Sequence, residues 1–100
     1  MSEQLRRLLV AYDVASDRRR DRLAVLLQEH GERVQFSVFV VDGRPAAFVR
    51  LRRSVERLID AAEDRVLFVD LGPRTRARDV RMTWLGQRPR LTGDDDTLVL

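Results

Sequence analysis

A single carboxylate, Asp13, stands four residues ahead of Asp17 to Arg22, a run in which four of six positions are arginine. Hard divalent cations take oxygen ligands, and guanidinium groups grip phosphate through two parallel hydrogen bonds. An acid beside clustered arginines is therefore a donor set for a cation and a phosphate together, the chemistry of phosphodiester binding and cleavage. The set is incomplete in one chain. Magnesium is usually held by one or two protein carboxylates plus waters and substrate phosphate, so Asp13 alone makes a poor site.

Each of these residues also has a plainer reading. Asp13 serves equally as a polar strand terminator that caps the following turn, and Arg18 to Arg22 as a solvated helix face paired with Asp17 and Asp21. Tyr12, Phe36 and Phe39 suit a core or an interface better than a stacking platform. His30 falls in a helix's last turn, where a cation suits the dipole, and a lone imidazole lacks metal partners. Arg74, Arg76, Arg78 and Arg81 read as a second phosphate stripe or as a solubilising loop.

The elements that must hold Asp13 follow from patterning. Leu8 to Asp13 is an apolar run of strand length. Ser16 or Asp17 can cap a helix that carries Leu23, Leu26, Leu27 and His30 on one face and ends near His30, with Gly31 as C-cap. Arg33 to Asp42 is rich in β-branched and aromatic residues but long for one strand in a small domain, so a hairpin near Phe36 and Ser37 is expected to divide it. Pro45 suits the first turn of a second helix, along which Phe48, Leu51, Val55, Leu58, Ile59 and Ala62 recur at helical intervals. Arg65 to Leu71 reads as a last strand, stopped by Gly72 and Pro73. Strand, helix, strand pair, helix, strand is an α+β order. Two helices on one face of a four-stranded antiparallel sheet, a ferredoxin-like βαββαβ sandwich, is the packing it predicts. One domain over 1–100 is expected, with a core over about 7–72 and a tail over 73–100. The tail holds a possible extra strand, Val80 to Leu85, an acidic cluster, Asp94 to Asp96, and an apolar end. Docking as an added strand on another subunit's sheet would keep that end from fraying.

Composition narrows the function classes. All 19 basic residues are arginine against 16 acids, a formal charge of +3. A coding bias toward arginine would explain the missing lysine, but not the clustering at Arg18, Arg19, Arg20 and Arg22. With no cysteine there are no disulfides, thiolate zinc sites or cysteine nucleophiles, which agrees with a reducing cytosol. The opening MSEQLRRLLVAYD has no apolar segment of signal-peptide length, and no run approaches a membrane span, so a soluble cytoplasmic protein is expected.

Two blocks resemble a known family, CRISPR-associated protein 2. The first is the strand ending in Tyr12-Asp13-Val14 with the charged helix start Asp17 to Arg22. The second is Gly31 to Phe39, GERVQFSVF, close to the family's G-x-R-V-Q-x-S-V-F. The resemblance implies a ferredoxin-like homodimer with an exchanged C-terminal strand, in which Asp13 from each subunit meets its twin around Mg2+. It implies a metal-dependent endonuclease on RNA or double-stranded DNA, and a subunit that bridges dimers of the integrase, CRISPR-associated protein 1, while holding incoming DNA. Family positions for phosphate contact or activity fall on Tyr12, Arg20, Arg22, Arg33 and Phe39; Arg18 and Arg19 belong to the same basic cluster. Arg44-Pro45 departs from the family's usual polar cap on the second helix, and the C-terminal third matches only in its strand pattern.

Other ferredoxin-like modules stay open at this point. A non-catalytic ligand-binding regulatory module fits the fold, a metal chaperone lacks its Cys-x-x-Cys, and an RNA-recognition domain lacks its aromatic third-strand motif.

Overall fold

The computed structural model describes residues 5–74 and 82–87. Its elements are β1 (Arg6–Asp13), α1 (Asp17–Gln28), β2 (Gly31–Gln35), β3 (Val38–Gly43), α2 (Pro45–Leu58) and β4 (Arg65–Pro73). The strands form one antiparallel sheet in the order β2-β3-β1-β4, the ferredoxin-like arrangement.

Alternation along the strands explains why both helices sit on one face. Leu8, Val10 and Tyr12 of β1 and Phe39 and Val41 of β3 point the same way, and Leu23 and Leu27 of α1 and Leu51 and Val55 of α2 bury against them. The opposite face carries Leu9, Ala11 and Asp13, level with Val69, Leu67 and Arg65 of β4. Leu67 and Val69 are exposed there.

The hairpin expected at Phe36 and Ser37 is present: Gln35 pairs with Val38, and a bulge at Val34 adjusts the twist. Of the two caps expected for α1, Ser16 is the one used, accepting from the Arg19 N–H. Other expectations are corrected. The helix stops at Gln28, before His30, whose ring Nδ1 lies 2.9 Å from the Leu26 carbonyl oxygen. Gly31 is no left-handed cap; it opens β2 where an added Cβ would stand 2.2 Å from the Val40 carbonyl oxygen. α2 ends at Leu58, which leaves Ala62 in an exposed turn outside its apolar stripe.

β4 runs on through Gly72 and Pro73 because Gly72 adopts φ 92°, a left-handed conformation that lets the chain bend and still pair Pro73 with Arg6. In the tail, Trp84 makes an isolated bridge and residues 82–87 form no strand. Arg76, Arg78, Arg81, the acidic cluster Asp94 to Asp96 and the exchanged strand lie outside the described residues.

Candidate nucleic-acid site

β1 ends on Asp13 because the sheet ends there: Tyr12 is buried under the helices and the next residue in the alternation faces out. Its carboxylate has no hydrogen bond or ion pair among the described residues. Capping, the plainer reading of Asp13, is done by other residues. Ser16 caps α1, and the Ala15 N–H is taken by Asp64 at 3.1 Å. Asp13 borders a shallow groove of about 430 Å³ lined by Ala11, Tyr12, Arg65, Val66 and Leu67. Arg65 is its partner in the β1–β4 register. Sequence reading missed Arg65, because register across a sheet is not written in either strand alone.

The arginine cluster divides by position on α1. Arg18 and Arg22 are exposed and have no ion pair among the described residues. Arg19 turns inward to Asp64, with Nε 2.7 Å from one carboxylate oxygen and a terminal nitrogen 3.2 Å from the other, and it also reaches Glu63 at 3.0 Å. Arg20 donates to the Val14 carbonyl at 2.9 Å and pairs with Asp17. Thus Arg19 and Arg20 brace the loop that follows Asp13, while Arg18 and Arg22 remain available to a ligand.

Asp64, whose side chain is wholly inaccessible, also accepts from the Asp60 N–H at 2.9 Å. The Arg19 guanidinium, then the Asp60 and Ala15 N–H groups, hold its carboxyl well below the usual carboxylate range against the cost of burial. Arg19 is in turn raised above its usual range by Asp64.

At the β2 side of the same sheet end, four groups are stacked in a row. Tyr12 lies against Phe39, with ring centroids 6.3 Å apart at 21°. The Arg33 guanidinium carbon sits 5.2 Å from the Phe39 centroid and 5.6 Å from that of Phe36. Phe39 is fully buried, so it supports Arg33 and cannot touch a ligand. Tyr12 is nearly so, and its hydroxyl donates to the Phe36 carbonyl at 3.5 Å.

Among the described residues, no three acidic, histidine or cysteine side chains group closely enough to hold a metal. At this strand end the described residues offer a hard cation the Asp13 carboxylate by itself, and such a donor set would fit magnesium if a second copy brought a second carboxylate.

Residues 6–79 match the family model described as CRISPR associated protein Cas2. The chain is 36% identical over 84 residues to CRISPR-associated endoribonuclease Cas2 4 of Rhodospirillum rubrum, an alignment covering 84% of this chain and 65% of that relative's length. It is 38% identical over 82 residues to CRISPR-associated endonuclease Cas2 2 of Thermus thermophilus, covering 73% and 91%. The fold superposes on Streptococcus pyogenes Cas2 with a TM-score of 0.65 at 33% identity, covering 76% of this chain and 96% of that one.

Proposed function

Because this chain belongs to the CRISPR associated protein Cas2 family, we propose that it is a metal-dependent endonuclease that binds nucleic acid as a homodimer in the CRISPR adaptation machinery. The observation that carries this reading is the exposed Asp13 carboxylate, without a partner among the described residues, beside a loop whose capping is complete without it. An exposed acid that no described neighbour engages is free to take a ligand.

The chemistry that Mg2+ supplies in such a setting is polarisation of a phosphoryl oxygen and acidification of a water near neutrality. Asp13 from each copy provides the carboxylates. Arg18, Arg22 and Arg33 hold phosphates, and Arg65 in the Asp13 groove offsets the charge that builds on the reacting phosphate. Tyr12 and Phe39 support Arg33 from behind. Arg19 and Arg20 fix the loop after Asp13 and so set its direction.

A second copy is supported by the outer sheet face, where Leu67 is 58% and Val69 37% exposed. In the complete assembly the dimer bridges integrase dimers of CRISPR-associated protein 1 and holds the incoming DNA. The decisive experiment incubates the purified protein with RNA, single-stranded DNA and duplex DNA, with and without Mg2+. Metal-dependent cleavage that falls to background in Asp13→Asn, with an unchanged melting temperature, is expected. Cleavage that survives the substitution would sink the assignment.

A further inference from the structure

The sheet face that bears Asp13 is apolar across its middle, yet its two halves are unequally covered. Residues paired across strands share a face, so Leu9 and Ala11 of β1 stand level with Val40 and Val38 of β3 on one side and with Val69 and Leu67 of β4 on the other. Val40 is 5% exposed although it lies outside the core cluster beneath the helices, whereas Leu67 and Val69 are 58% and 37% exposed. The β3 half of the face is sheltered and the β4 half is bare.

The tail accounts for the difference. Met82, Thr83 and Trp84 share with Leu9, Val34, Gln35 and Val38 a shallow space of about 350 Å³ on this face. The Trp84 indole N–H is closed off from solvent and has no acceptor among the described residues, so the ring lies against the protein through apolar contact and not through a hydrogen bond. Past it, Leu85 is 76% exposed and Gly86 turns in the left-handed region at φ 77°. The direction of this segment is prepared where β4 ends. The Arg74 N–H donates to the Leu5 carbonyl at 2.8 Å, and Arg74 Nε lies 2.8 Å from Asp42 of β3, so the side chain reaches across β1 toward the sheltered half. The groove beside Asp13, with Ala11, Arg65 and Leu67, lies in the bare half.

We propose that Trp84 is a positioning residue. As a strap on its own chain's sheet, it denies a second copy the β2–β3 half of the face and confines it to the β1–β4 half, where Asp13 meets its twin. The proposal rests on the shared-cation reading above and adds the residue that decides how the two copies meet.

The chain has no cysteine, so Asp13→Cys carries one thiol per copy, and a short homobifunctional thiol reagent reports whether the two positions approach each other. Asp13→Cys should cross-link, whereas Val25→Cys, exposed on α1 across the sheet, should not. Adding Trp84→Ala to Asp13→Cys should leave the dimer mass unchanged and reduce cross-linking to the Val25→Cys level; Trp84→Phe, which keeps a ring, should preserve it. Cross-linking unchanged by Trp84→Ala, or a loss of dimer mass in that variant, overturns the strap. A second measurement needs no variant. Trp84 is the only tryptophan, so the emission of the wild-type protein should stay constant as the dimer is diluted to monomer. A red shift on dilution would show that the partner covers the ring, and it overturns the strap as well. If Asp13→Cys forms a dimer that does not cross-link, or no dimer forms, the shared-cation reading itself has failed; cross-linking that ignores Trp84 removes only the strap.

Discussion

Asp64 shows how one side chain can govern a site it does not enter. Its carboxylate closes two backbone N–H groups and the Arg19 guanidinium, tying the loop after Asp13 to the turn before β4. The folded protein keeps this carboxyl charged far below its ordinary value of 3.8, whereas the unfolded chain protonates near it. The stability it contributes is therefore whole above that value and is lost as pH falls below it toward the folded pKa. Thermal melts should show Asp64→Asn well below wild type at neutral pH, with the gap closing under pH 3.8; a gap constant with pH would count against the pair. Arg19→Ala, which leaves that buried carboxylate without its cation, should lower the melting temperature far more than Arg18→Ala, whose residue is exposed. Gly31→Ala drives a Cβ against the Val40 carbonyl and the Val41 side chain, so it should be strongly destabilising although the backbone there is not left-handed.

At the level of elements, α1 does two jobs whose residues alternate along one turn. Its inner face, Leu23 and Leu27, is fully buried, and Leu23→Ala should cost about 2–5 kcal/mol by chemical denaturation. Its outer face presents Arg18 and Arg22. Replacing both with glutamine should leave stability unchanged while weakening duplex DNA binding and flattening its salt dependence by about 0.9 in log–log slope for each phosphate no longer neutralised. An unaltered slope would remove these two arginines from the binding surface. The helix itself was readable: a Ser cap and a leucine spacing of four fix its start and its inner face. Its stop was not, because His30 and Gly31 look like a helix end only until the pairing of Gly31 with Val41 is known.

For the whole molecule, the incomplete acid site and the open sheet face raise the same requirement. A lone Asp13 lacks a second carboxylate, and the sheet face bearing Asp13 exposes Leu67 and Val69. The proposed second copy of the chain would satisfy both. Sedimentation or light scattering should report a dimer, and a strict monomer at assay concentrations would rule out a shared cation. Much of this was legible in the chain itself. Strand and helix order, the hairpin at Phe36 and Ser37, and the placement of Asp13 at a strand end follow from periodicity and turn chemistry, which act between residues close in sequence. Tertiary structure alone decided which arginine does what. Arg18, Arg19, Arg20 and Arg22 are chemically identical neighbours, and only the arrival of Asp64, distant in sequence, withdraws Arg19 from the surface. The same holds for Arg65 beside Asp13 and for Arg33 between two phenylalanine rings. These depend on cross-strand register and hairpin closure, and no local pattern encodes a contact between segments that meet only when the sheet forms.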